Sequence, residues 1–194
     1  MEKPENKKRS ILIEVIIITI ASVSAGLLYL ITAPIILAPG IQYRLFAFVT
    51  PALGIILGKY RGGICAAIAE GIWALLSFYM LGLPVLSIAT PFALFGDFLQ
   101  AYIPAIIVEK LGEDKGISIT WRNLGVILLG ATCGMVALSV WFGIFFHILS
   151  VDTFLNIFVL LWLSDFLPMI IGTAPFVWLL IKVPRIRNAW ENGW

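Results

Sequence analysis

Charge is scarce in this 194-residue chain. Asp, Glu, Lys and Arg make up 12% of it, about half the share of a soluble domain, while apolar residues reach 61%. With so little polar material a water-facing coat cannot be built, which excludes a soluble globular fold and indicates an integral membrane protein. The 13 basic and 11 acidic residues nearly cancel, to +2, so nothing marks the chain as a nucleic-acid binder. One histidine, two cysteines and the absence of C-x-x-C leave no basis for a haem, zinc or other metal site. Cys65 and Cys133 lie inside apolar runs, where cysteine acts as a small packing residue. No Walker motif, His-Glu-x-x-His or Gly-x-Ser-x-Gly is present, so the chain cannot spend ATP alone and carries no hydrolase signature. No cofactor and no enzymatic activity are expected.

Long apolar runs are what the sequence has instead. A spanning helix needs about 20 apolar residues at about 1.5 Å each. Six stretches approach or exceed that length: 11–33, 41–58, 62–83, 86–108, 124–149 and 154–181. The second is short and contains Pro51, which points to a tilted, kinked or re-entrant segment. The expected fold is all-α, a bundle of six transmembrane helices over 11–182 between short tails at 1–10 and 183–194. A signal-peptide reading, with Val23-Ser24-Ala25 as the cleavage site, is disfavoured because the apolar run continues beyond it.

Basic residues resist translocation and so orient the bundle. Lys3, Lys7, Lys8 and Arg9 precede the first span; Lys59 and Arg61 follow the second; Lys110, Lys115 and Arg122 follow the fourth; Lys182, Arg185 and Arg187 follow the sixth. All of these fall on one side if both termini are cytoplasmic, in a multi-pass protein of the cell membrane. Arg44 alone falls on the other side and requires an explanation.

An ionisable group near the bilayer centre costs about 2.5 to 3.5 kcal/mol on insertion scales. Glu70, Asp97 and Asp165 each lie eight to eleven residues into a span, about 12 to 17 Å deep, and can share one level. Either they line a cavity and bind a ligand, or they are protonated and pair across helix interfaces. Glu70 sits among small residues and leans to packing; Asp165 has Trp162 one turn before it and leans to function. Glu14, three residues into its span, reaches the headgroups by snorkelling. Toward the outer side stand Gln42, Tyr43 and Arg44 after the first span, Trp141, Phe145 and His147 at the end of the fifth, and Asp152 and Asn156 beyond it. Their aromatic rings suit either an interfacial belt or stacking on a flat ligand. The candidate substrate-binding set is Arg44, Asp97, Trp141, His147, Asn156, Trp162 and Asp165.

Small residues complete the pattern. Ala21 and Ala25 form a small-xxx-small pair on the first helix, repeated by Ser22 and Gly26, and Gly54, Gly58, Gly62 and Gly63 thin the second-to-third hairpin. Ala21-x-x-x-Ala25, together with the stretch from Leu53-Gly54 through Gly58-Lys59-Tyr60-Arg61-Gly62-Gly63 to Glu70-Gly71, resembles the substrate-binding S components of energy-coupling factor transporters. That resemblance implies a six-helix subunit with both ends cytoplasmic that captures a vitamin or similar micronutrient. It then topples against a transmembrane coupling (T) subunit driven by ATPase subunits. It also implies that Ala21 and Ala25 dock the coupling subunit, and that the pocket lies in the outer half among the first loop and helices four to six. The competing expectation is a ligand-sensing or scaffold module without transport; an intramembrane enzyme using the three carboxylates is the weakest.

Overall fold

A computed structural model describes residues 4–32, 36–38, 41–82, 90–116, 118–148, 153–184 and 186. Helix α1 runs over Pro4–Thr32, and a minimal antiparallel ladder pairs β1 (Ile36–Ala38) with β2 (Ile41–Gln42). Then come α2 (Val49–Leu57), α3 (Lys59–Leu81), α4 (Thr90–Leu111), a 3-10 turn at Glu113–Gly116, and α5 (Trp121–Ile148). The last long helix is continuous but mixed: α6 (Phe154–Leu161), a π-helical turn (Trp162–Phe166) and α7 (Leu167–Ile181). The expected start of the fourth span at 86–89, Pro34, Pro39, Gly40, Asp152, Arg185 and most of the 183–194 tail lie outside the described residues.

Among the described residues, five helices are long and apolar enough to cross a membrane: Leu12–Ile31, Lys59–Leu81, Thr90–Leu111, Trp121–Ile148 and Phe154–Ile181. Their outward faces are apolar. On α1, Ile13, Ile16, Ile20, Val23, Leu27 and Ile31 recur every three or four residues and are all exposed, as are Leu155, Val159, Leu163, Leu167 and Ile171 on the last helix. A helix with an apolar stripe turned outward suits hydrocarbon, not water. The chain is a multi-pass α-helical membrane protein.

The 41–58 stretch is not one continuous helix. Only Val49–Leu57 is helical, nine residues that rise about 13 Å, under half of a hydrocarbon core of about 30 Å. All nine are buried, and α2 is wedged among α3, α4 and α7. Pro51 falls in its first turn, where a missing N–H costs no intrahelical bond. At the other end Gly58 takes φ +82°, a left-handed conformation that reverses the chain directly into α3. Gly54 and Gly62, each four residues from Gly58, therefore meet. A Cβ on Gly62 would collide with Gly54 and the Leu53 carbonyl, and one on Gly54 would collide with the Ala101 backbone of α4. The glycine-rich hairpin buys backbone contact on both faces of α2.

The small face of α1 is used within the chain. Ala25 is 2% exposed and packs in the core with Tyr29, Ala69 and Trp73, while a Cβ on Gly26 would press on the Ala69 carbonyl and Ile72 of α3. Ser22 is buried as well, and Ala21 is half-buried. The small residues of α1 bring it close to α3, so Ala25 packs inside the chain.

At the α4–α5 corner the buried Asn123 side chain binds the loop together. Its Nδ2 donates to the Glu113 and Ser118 carbonyls at 2.9 and 2.8 Å, and its Oδ1 accepts the Glu113 N–H at 2.7 Å. Thr120 caps α5 by accepting the Asn123 N–H.

Candidate functional site

The centre of the bundle is a guanidinium. Arg44 lies in the turn before α2, and its Nε donates to Asp165 Oδ2 at 3.0 Å, with Nη2 bonding the same oxygen. Its Nη1 donates to Glu70 Oε2 and Asp97 Oδ1, each at 3.2 Å. The Tyr29 ring of α1 lies against the guanidinium, 5.7 Å from centroid to Cζ, and the Tyr29 hydroxyl shares a hydrogen bond with Thr50 Oγ1 of α2. Side-chain exposure is 12% for Arg44 and 6%, 2% and 0% for Glu70, Asp97 and Asp165. Glu70 stands eleven residues from the start of α3, about 16 Å along the helix, so the cluster occupies the middle of the bundle.

Local sequence explains how each group arrives there. Pro168 has no N–H, so the Ser164 carbonyl four residues earlier lacks its usual helical donor, and a π turn stands at Trp162–Phe166. The Arg44 backbone N–H fills that place, donating to the Ser164 carbonyl at 3.4 Å. One turn of helix thus offers Arg44 a backbone acceptor and, from the next residue, a carboxylate. Ser164 Oγ lies 2.6 Å from Asp165 Oδ1 and so fixes the carboxylate's second oxygen. With main chain and side chain both held, residues 45–48 form a turn and helix begins only at Val49, which is why the 41–58 segment does not run straight through.

The cluster continues one turn along α4 and α7. Gln100, three residues after Asp97, is fully buried; its Nε2 lies 3.4 Å from Met169 Sδ and 3.6 Å from Met135 Sδ, and its Oε1 has no partner. Met169 is four residues after Asp165. Among the described residues no three His, Cys, Asp or Glu side chains converge on a metal position. What stands at the convergence of these three carboxylates is Arg44.

Of the seven residues expected to bind substrate, Arg44, Asp97 and Asp165 come together here, joined by Glu70. Trp162 is one turn before Asp165, half-buried, its ring 4.2 Å from Phe166 and its Nε1 buried without a partner. Trp141 lies apart: its Nε1 donates to the Phe92 carbonyl at 2.8 Å and its ring packs on Phe95 at 4.8 Å. His147 and Asn156 are exposed at the far ends of α5 and α6, with Asn156 nine residues, about 13 Å, from Asp165. Tyr29, Ser164 and Gln100 were missed by sequence reasoning. The one legible signal for Ser164 was the proline four positions on.

Ion pairs also link the helices at the basic end of the bundle. Glu14 pairs with Arg61 across α1 and α3, and Lys59 Nζ lies 3.1 Å from Glu109 Oε2. Compared with known proteins, the chain matches no family model, no curated protein and no solved structure.

Proposed function

We propose that this chain is the membrane-embedded substrate-capture subunit of an uptake transporter for a vitamin or similar micronutrient, energised by separate coupling and ATPase subunits. On this reading the chain crosses the cell membrane six times with both tails cytoplasmic. The additional crossing is composite: the 41–48 stretch dips from the outer side to the level of Arg44, and α2 covers the remaining depth to Lys59. Irregular backbone is tolerated at such depth only where protein or a cavity surrounds it, and α2 is enclosed by α3, α4 and α7.

The observation that carries the reading is the buried cluster itself. Three carboxylates face one guanidinium, and intramembrane ionisable groups held inward mark ligand or ion pathways. The excess of acid over base favours a cationic or neutral polar ligand over a multiply anionic one. Asp165 has the Trp162 ring one turn before it, on which a ligand held by the carboxylate can stack, whereas Glu70 stands among small residues. Asp165→Asn is expected to weaken ligand binding at least tenfold, and more than Glu70→Gln.

The test begins with native mass spectrometry of the purified protein to identify a co-purifying small molecule, followed by calorimetric titration of wild type and both variants. Wild-type affinity in Asp165→Asn removes that residue from the site. The second reading, a ligand-sensing or scaffold module, rests on the mutual satisfaction of Arg44 and its carboxylates. Uptake of the identified molecule that depends on a co-expressed ATPase module separates the two.

A further inference from the structure

We propose that Glu70 and Asp97 form a proton-binding site in the interior of the bundle, holding one proton between them at neutral pH. This names the regulation of the site proposed above and rests on that reading only for its transport consequence; the proton itself is a property of the chain alone.

Two independent observations carry it. The first is convergence: Glu70 Oε2 and Asp97 Oδ1 each lie 3.2 Å from the same nitrogen, Arg44 Nη1, which brings the two carboxyl groups together. Ionised carboxylates are acceptors only, so two groups drawn together this way are best held with a proton on one of them. The second is charge. With Arg44 at +1 and three ionised carboxylates the cluster would stand at −2 in a region where the four side chains are at most 12% exposed. One shared proton halves that charge, and like-charged carboxylates in one site cannot both ionise freely.

The assignment to this pair follows from the donors. Asp165 accepts from Nε and Nη2 of Arg44 and lies beside Ser164 Oγ, an environment that satisfies an ionised carboxylate. Glu70 and Asp97 divide the single remaining nitrogen, Nη1, between them. Among the described residues the surrounding elements bring no other base to the cluster: α1 contributes Tyr29, already bonded to Thr50, and α2 has no ionisable side chain. On α5 the ionisable residues are Arg122, Cys133 and His147, the first and last at its two ends. Gln100, buried one turn from Asp97 with Oε1 unpartnered, adds an acceptor on the same face of α4 but no charge.

The exchange balances simply. When a cation with one positive charge binds against the cluster, the shared O–H bond breaks, the electron pair stays on the carboxylate and the proton leaves to water. The net charge of the site is unchanged. A proton is thereby released for each positive charge captured, and acid conditions oppose capture.

The test needs no ligand. Infrared difference spectroscopy of the wild-type chain in lipid nanodiscs, titrated from neutral to alkaline pH, is expected to show loss of one protonated-carboxyl C=O band. Proton counting with an indicator dye is expected to give one proton released per chain that Glu70→Gln and Asp97→Asn each lack. Thermal unfolding of both variants checks that they fold; Asp165→Asn serves as a second comparison and is expected to keep a protonated-carboxyl band. Absence of such a band in folded wild type at neutral pH, or its persistence unchanged in both Glu70→Gln and Asp97→Asn, overturns the proposal and leaves ligand capture to be judged by mass spectrometry.

Discussion

Two sets of ion pairs in this molecule use the same chemistry at different depths. At the basic end Arg122 pairs with Glu113 at 3.3 Å with side chains 63% and 42% exposed, and Lys59 pairs with Glu109. In the middle, Arg44 pairs with three carboxylates at similar distances and almost no exposure. Water screens the first set and leaves each partner a solvated alternative, so such pairs contribute about 0 to 1 kcal/mol at most. No solvent waits for a group stranded in the second, and losing one partner there costs far more than the pair was worth. Distance alone does not distinguish the two sets; burial does.

The largest expected effect is at the centre. Arg44→Met removes the counter-charge of all three carboxylates and the side chain that holds the turn before α2. It is expected to cost about 3 to 5 kcal/mol, read as a large fall in the thermal midpoint of unfolding in detergent. A midpoint within a degree or two of wild type would mean that the carboxylates do not depend on Arg44.

Next comes a change of shape without charge. Gly54→Leu places a side chain where the Ala101 backbone already sits and must push α2 away from α4. It is expected to destabilise by about 1 to 3 kcal/mol, the range for overpacking, with the loss again read in the unfolding midpoint. Smallest of all is Arg122→Gln at the exposed pair, expected to shift stability by no more than about 0.5 kcal/mol.

Much of this arrangement was legible in the sequence, and for a definite reason. Charge in an apolar chain is conspicuous, so Arg44, Glu70, Asp97 and Asp165 were each singled out, and helical rise placed the three acids at one level. Arg44 was also marked as the cation in need of an explanation. The way they meet was not legible. Hydropathy reads 41–58 as one span because most of its residues are apolar, and it cannot register that Arg44 anchors the turn to a carbonyl left without its usual donor by Pro168 on a helix more than a hundred residues away. Glu70 leans to packing in the sequence because its neighbours are small; those neighbours do pack, and they bring Glu70 within reach of Arg44. For Trp141 the sequence could not show that its Nε1 donates to the Phe92 carbonyl and its ring packs on Phe95 of α4. Ala25 could not be assigned from its spacing, because a small residue that admits a partner helix and one that admits α3 look alike in sequence.

The central claim is that burial, more than contact geometry, makes the Arg44 cluster a coupled unit. A double-mutant cycle on unfolding free energy tests it most directly, comparing Arg44→Met and Asp165→Asn with Arg122→Gln and Glu113→Gln. The account predicts a coupling of about 1.5 to 3 kcal/mol for the buried pair, with Asp165→Asn partly rescuing Arg44→Met, against less than about 0.5 kcal/mol for the exposed pair. Additive effects at Arg44 and Asp165, equal to those at the basic end, would contradict it.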